Sequence, residues 1–298
     1  LLTGQGAQRP GMMQDLYRNN QIVRETLDKG EALFRSERGY SILNIMFSDS
    51  PDINLTENTQ PAVFISSAAV YNVLYENGFN PRYFIGHSLG ECSSLYCSGM
   101  LGFDDTMKLI IKRSSLMKES AEKIPGEILA LFKGWDDSTR YLKESGVKDV
   151  YLANKNSDSQ TVIAGKPAGI AEFIEYLKKE NLIYKKLPLS GAFHTPLFIS
   201  SSVELRNYLA DVKFNDTDYT KIISNVTALP YPQDENRVKD LLSKQIISPV
   251  LFTDSVKYAC GSAPCFIEAG PAAVLTGLLK SINCGIKKSA ASIDHKKG

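Results

Sequence analysis

Tyr83-Phe-Ile-Gly-His-Ser-Leu-Gly-Glu91 decides how the rest of this chain is read. Tyr83, Phe84 and Ile85 predict a short buried strand. Gly86, Ser88 and Gly90 then spell Gly-x-Ser-x-Gly, and a helical run follows from Leu89 to Ser98. Strand, sharp turn and helix in that order make the setting of a nucleophile elbow. Glycines on both sides of the serine permit a strained turn and close packing of helix on strand. Ser88 is thereby placed at a helix N-terminus, where backbone N–H groups without intrahelical partners favour developing negative charge. The motif by itself is equally compatible with an ordinary glycine-serine turn, so the remaining sequence has to supply its partners.

Composition narrows the classes. The 298 residues suffice for one large domain, or for one domain carrying a smaller insert. A net charge of +1 gives no strong field for nucleic acid or a membrane surface. No run of 18 apolar residues predicts a membrane span, and no signal-peptide pattern is visible. The five cysteines (92, 97, 260, 265 and 284) are odd in number and lack a Cys-x-x-Cys pair, so they are expected as free thiols in a reducing compartment. The three histidines, His87, His194 and His295, form no cluster with cysteine at ligand spacing, so no zinc site is expected.

Downstream of the elbow, Phe103-Asp-Asp-Thr106 predicts a helix start with an aspartate cap. Helical spacing puts Thr106, Leu109, Ile110, Arg113, Leu116 and Met117 on one face, opposite Lys108, Lys112, Ser115 and Glu119. Arg113 therefore lies on the apolar face. It either snorkels to water from the stripe edge or faces a pocket and pairs with a carboxylate. From about residue 124 the pattern changes to short strands (127–132, 150–154, 160–164, 185–189) alternating with helices (136–145, 167–180), which predicts a small α+β insert of about sixty residues. Ser190 to Pro196 returns to the main domain, with His194 just before a helix that Thr195 caps and Pro196 opens. A strand over 219–226 carries Asn225, a polar helix over 235–246 carries Gln245, and a strand at 265–268 precedes a final helix. Upstream, Gly4-Gln-Gly-Ala-Gln8 is a glycine loop after a strand end, and Pro61 sits near the start of a buried helix over 62–77.

Gly4-Gln-Gly-Ala-Gln8, Thr59-Gln-Pro-Ala62, Gly86-His-Ser-Leu-Gly-Glu91, Arg113, Ala192-Phe-His194, Ser224-Asn-Val226, Gln245 with Ser248-Pro-Val250, and Glu268-Ala-Gly-Pro271 follow one another in an order that resembles the malonyl-CoA:acyl-carrier-protein transacylases of fatty-acid synthesis and the related acyltransferases of polyketide synthases. The resemblance runs almost end to end. It implies an α/β fold: a large α/β-hydrolase-like domain with a parallel sheet (1–123 and 190–298), plus an inserted small ferredoxin-like α+β subdomain (124–189), with the site in the cleft between them. It also implies roles. Ser88 becomes the nucleophile and His194 its base, with the histidine oriented by a main-chain carbonyl. The backbone N–H groups of Gln5 and Leu89 become the oxyanion hole, and Arg113 the clamp for a malonyl carboxylate. Gln60, His87, Phe193, Asn225 and Gln245 line or organise the site. Phe193 matches the malonyl-type pattern, where methylmalonyl enzymes carry a smaller serine.

The implied reaction moves a malonyl group from malonyl-CoA to the phosphopantetheine thiol of a holo acyl carrier protein, with no permanently bound cofactor and no metal. Carrier proteins are acidic, so Lys and Arg at the cleft mouth are expected to steer docking. A cytoplasmic monomer is the expected state. Two alternatives share the serine and histidine: an acyl hydrolase of the same fold that clears carrier proteins, and an α/β-hydrolase esterase using Ser, Asp or Glu, and His. Arg113 favours transfer over both. Thr3 stands where the family commonly has proline, and Cys92 where an aromatic is frequent. That departure fits a discrete acyltransferase acting in trans on a polyketide assembly line.

Overall fold

Helices come first in the structure, a computed structural model that describes residues 1–188 and 191–291. α1 (Gln14–Asn19), α2 (Gln21–Arg38), α3 (Ile42–Phe47) and α4 (Thr56–Glu76) precede β1 (Phe84–Ile85), and α5 (Leu89–Cys97) and α6 (Phe103–Lys123) follow it. A second unit then reads β2 (Glu127–Leu131), α7 (Trp135–Ser145), β3 (Val150–Ser157), β4 (Gln160–Gly165), α8 (Pro167–Lys179) and β5 (Tyr184–Leu187). The chain closes with α9 (Ile199–Ala210), β6 (Ile222–Ile223), α10 (Glu235–Gln245), α11 (Phe252–Cys260), β7 (Cys265–Ile267), α12 (Val274–Leu279) and β8 (Lys288–Ala290).

Leu2 lies at the centre of the principal sheet. It makes parallel bridges to Gly86 on one side and Ala269 on the other. β1 pairs in parallel with β6, and β7 in parallel with β8, so the strands run the same way across the sheet. Parallel strands are covered by helices on both faces. The most enclosed of these is α4, whose residues from Asn58 to Val70 are all buried. α6 buries the predicted stripe, Arg113 included, while Lys108 and Glu119 face solvent.

The second unit is a four-stranded antiparallel sheet in the order β3-β4-β2-β5, a β-α-β-β-α-β run. Alternation along its strands splits two tasks. Leu129, Leu131 and Ile163 pack with Ile170, Phe173 and Leu177 of α8, whereas Ile128, Val162 and Ala164 face the main core. β3 ties this sheet to the rest of the chain. The Lys155 N–H donates to the Val250 carbonyl at 2.9 Å, the Val250 N–H donates to Ala153 at 2.9 Å, and Lys155 Nζ lies 2.8 Å from Asp254.

Several local expectations are corrected. α4 begins at Thr56, so Pro61 lies inside the helix rather than at its start. Pro61 falls in the second turn, so the Glu57 carbonyl four residues before it goes without an intrahelical donor from this position. Gly102, not an aspartate, is the N-cap of α6, and Asp104 and Asp105 occupy its first turn. Thr195 occupies the expected N-cap position but makes no side-chain capping bond. Its hydroxyl donates to the Ala192 carbonyl at 2.6 Å, and Pro196 opens a 3-10 turn ahead of α9. The strand expected over 219–226 shrinks to Ile222–Ile223, because Asp218 caps a 3-10 turn before it and Ser224 turns the chain back through its N–H to Leu229. β8 was not anticipated, since its residues are polar and exposed. His295, Leu189 and Ser190 lie outside the described residues.

Candidate active site

The serine expected to act sits on a strained turn. Ser88 adopts φ 52° and ψ −107° between β1 and α5, a region non-glycine residues rarely occupy. Neighbouring glycines make the turn possible by proximity as well as flexibility. A Cβ on Gly86 would sit 1.9 Å from the Gly90 carbonyl carbon, and one on Gly90 would sit 2.0 Å from the Leu2 oxygen. Asn225 secures the elbow from outside. Its Oδ1 accepts from the Ser88 N–H at 2.8 Å, and its Nδ2 donates to the Gly86 carbonyl at 2.7 Å.

His194 reaches the serine across 106 residues of sequence. Its Nε2 lies 2.7 Å from Ser88 Oγ, and its Nδ1 lies 2.8 Å from the Gln245 carbonyl oxygen. A carbonyl only accepts, so Nδ1 carries the proton and Nε2 is free to accept from the serine hydroxyl. Burial and the nearby Arg113 charge push the imidazole down to about 3, which keeps it neutral and basic in form at neutral pH. Among the described residues, the Gln245 carbonyl and not a carboxylate holds the place behind the ring that an esterase triad requires.

Arg113 is the buried cation of the site, 1% exposed. Nη1 donates to Gln60 Oε1 at 2.7 Å, and Nη2 donates to Gln245 Oε1 at 3.0 Å and to Ser88 Oγ at 3.2 Å. Its partners are neutral oxygens. Among the described residues it has no ion pair, and its Nε finds no hydrogen-bond partner. Gln245 is the hub of the cluster: besides Arg113, it donates from Nε2 to the Ser88 carbonyl at 2.8 Å and to Glu91 Oε2 at 2.6 Å.

A cleft of about 560 Å³ opens over Ser88 and His194. The glycine loop (Gly4, Gln5, Gly6) forms one wall, and Ile128, Asn154, Asn156, Val162 and Leu187 of the antiparallel sheet form the facing wall. Met117 and Phe193 close its inner end. Phe193 is held edge-on to Phe198, their ring centroids 5.3 Å apart. Gln60 is buried behind Met117, donating to its sulfur at 3.3 Å. His87 borders the cleft with its Nε2 2.8 Å from Asn156 Oδ1, and desolvation holds its proton affinity below the ordinary range. Gln5 lines the cleft together with Ser88, and Leu89, the residue after the serine, is the first of α5. Thus the structure gathers every residue expected in the site. It adds Glu91, Tyr231 and Asn156. Only Glu91 carried a sequence signal: three residues after Ser88 on a helix, it shares the serine's face.

A parallel α/β sheet presents a strained serine to a buried histidine over a cleft shared with a small antiparallel sheet. The chain belongs to the acyl transferase domain family, whose match runs over residues 1–291. Among curated relatives, the malonyl CoA-acyl carrier protein transacylase of Staphylococcus aureus (strain MRSA252) is 34% identical over 308 aligned positions, covering 100% of this chain and 96% of its own. Among solved structures, MCAT from Streptococcus pneumoniae superimposes with a TM-score of 0.87 at 32% identity, covering 98% of this chain and 94% of that one. PlMCAT, a malonyl-transacylase solved in complex with the type II PKS acyl-carrier protein AntF, superimposes with a TM-score of 0.89 at 28% identity, covering 99% and 95%.

Proposed function

We propose that this protein transfers a malonyl group from malonyl-CoA to the phosphopantetheine thiol of an acyl carrier protein through an acyl-serine intermediate. The observation that carries the proposal is Arg113: a buried guanidinium within 3.2 Å of Ser88 Oγ that, among the described residues, touches no carboxylate directly. Glu91 reaches this guanidinium only through the Gln245 amide, so a carboxylate on the acyl group supplies the direct partner that it lacks. A plain acetyl group does not.

In this mechanism His194 Nε2 takes the Ser88 proton as Oγ attacks the thioester carbonyl. The proton then passes to the departing CoA thiolate. The backbone N–H groups of Gln5 and Leu89 stabilise the oxyanion, each donor being worth on the order of 10²–10³-fold. In the second half-reaction the carrier thiol enters, loses its proton to His194 and attacks the acyl carbonyl; the bond to Ser88 Oγ breaks, and His194 returns the proton to that oxygen. The two half-reactions share one site in turn, hence ping-pong kinetics. Gln60 and Gln245 hold Arg113 so that the malonyl carboxylate meets a fixed fork. Asn225 holds the elbow, and Phe193 limits the space beside the malonyl Cα.

Residues 1–123 and 190–298 act as the catalytic domain, and 124–189 as a ferredoxin-like insert that forms the facing wall. The enzyme works as a cytoplasmic monomer. Its carrier belongs to fatty-acid or polyketide assembly, and the departures at Thr3 and Cys92 favour a discrete enzyme serving a polyketide line in trans. The test is intact-protein mass spectrometry after mixing with malonyl-CoA, with and without holo carrier protein. A malonyl adduct that moves to the carrier supports the proposal. An adduct that is lost to water with carrier present would favour a hydrolase.

A further inference from the structure

Glu91 is a buried ionisable group that the mechanism above does not use. It lies on α5 three residues after Ser88 and is fully shielded from solvent. Oε1 accepts from the Tyr231 hydroxyl, and Oε2 accepts from Gln245 Nε2 at 2.6 Å. The oxygen of that same amide accepts from Arg113 Nη2 at 3.0 Å. An ionised carboxylate only accepts and a guanidinium only donates. One amide between them has a single orientation that serves both, nitrogen toward Glu91 and oxygen toward Arg113. Gln245 therefore links an anion to a cation inside the protein.

The charges of this cluster balance while the site is empty. Glu91 faces Arg113 from α6, Tyr231 and Asn225 from the segments around β6, Gln245 from α10, and Cys92 from its own helix. His194 lies beyond Gln245, and His87 on the other side of Ser88. Burial keeps Tyr231 protonated and pushes the Cys92 thiol up to about 11, while both imidazoles are pushed down and stay neutral. Arg113 and Glu91 then cancel. A malonyl group on Ser88 brings a third charge, and its carboxylate on Arg113 leaves one excess negative charge in a buried site. Like charges sharing a site drive one of them to take a proton. Burial already pushes Glu91 up to about 7, whereas His194 starts from about 3.

We propose that Glu91 takes up a proton from solvent when a carboxylate-bearing acyl group settles on Arg113, and releases it when that group leaves. The step converts the Glu91 carboxylate and one proton into the carboxylic acid, with no bond to the substrate. Glu91 is thus a positioning and charge-balancing residue that acts through the Gln245 amide, and the proposal rests on the malonyl assignment above. The loaded state binds more protons than the empty one. Malonyl loading is therefore favoured as pH falls through neutrality, and release is favoured as pH rises.

The test mixes enzyme with malonyl-CoA in weak buffer containing a pH indicator, with acylation followed in parallel by mass. A Glu91 shift of about one unit gives uptake of about half a proton per malonyl group near neutrality. E91Q is expected to be acylated without uptake. In Y231F the carboxylate loses a donor, so uptake moves to more alkaline pH. Y231F decides the matter if E91Q does not fold. Acylation of the wild type without uptake anywhere from about pH 6 to about pH 9 overturns the proposal. So does uptake that persists in E91Q, or an unmoved window in Y231F. A purely structural Glu91 would lower the rates of both variants and leave the uptake unchanged. Absence of any malonyl adduct on the wild type would instead overturn the malonyl assignment itself, and the proposal with it.

Discussion

The antiparallel sheet and the cluster around Ser88 both line one cleft and are built on opposite terms. Behind the sheet, Leu129, Leu131, Ile163, Ile170 and Phe173 are buried among other apolar side chains, and ion pairs such as Arg140–Asp137 remain exposed on its helices. The non-glycine residues that this unit holds at positive φ, Asp149 and Asn181, are of types that tolerate the left-handed region. The cluster around Ser88 breaks such preferences repeatedly. It holds a serine and a histidine at positive φ, a fully buried carboxylate, and a buried guanidinium with an unpaired Nε. Strain and buried charge of this kind persist only where the surroundings over-determine them. The contrast teaches that the sheet acts as a rigid wall, while the cluster stores the chemistry.

The largest effect that sharpens this contrast is expected from Ser88→Ala. Acyl-enzyme formation should disappear and turnover should fall by on the order of 10⁴-fold or more, with folding intact. A covalent adduct surviving in the mass spectrum would remove Ser88 from its role. Arg113→Ala comes next. It strands the malonyl carboxylate in a buried site, at a cost of about 3–5 kcal/mol, and should depress malonyl transfer about 10²–10³-fold more than acetyl transfer. Equal losses with the two donors would make Arg113 structural and erase much of the contrast.

Leu129→Ala probes the other side. A buried leucine truncated to alanine costs about 2–5 kcal/mol of stability. Thermal unfolding should shift down, while the malonyl-to-acetyl ratio of the folded enzyme stays put. A changed ratio would show that the wall is not merely a wall. The smallest effect is expected from Phe193→Ser, which opens room for one methyl group. Discrimination between malonyl-CoA and methylmalonyl-CoA should relax by about 1–3 kcal/mol in competition assays. An unaltered ratio would mean that Phe193, packed on Phe198, does not bound the acyl pocket.

The sequence by itself determined most of the regular elements and the placing of Ser88 on its turn between strand and helix. Amphipathic spacing marked α6 together with its Arg113, and the two glycines around Ser88 marked the elbow, because periodicity and glycine sterics are local properties. Local signals failed where partners are distant. The strand expected over 219–226 retains two residues because the chain turns on both sides of them, through the Asp218 cap and the Ser224 N–H to Leu229. Thr195 looked like a cap, yet its hydroxyl is taken by Ala192. Only the tertiary structure decided that the Gln245 carbonyl holds His194, that one amide joins Glu91 to Arg113, and that Tyr231 closes the far side of that carboxylate. These contacts span 51 to 154 residues of chain. No pattern along the chain encodes them, because a buried hydrogen-bond network exists only once the surrounding packing has excluded water and fixed each donor opposite its acceptor.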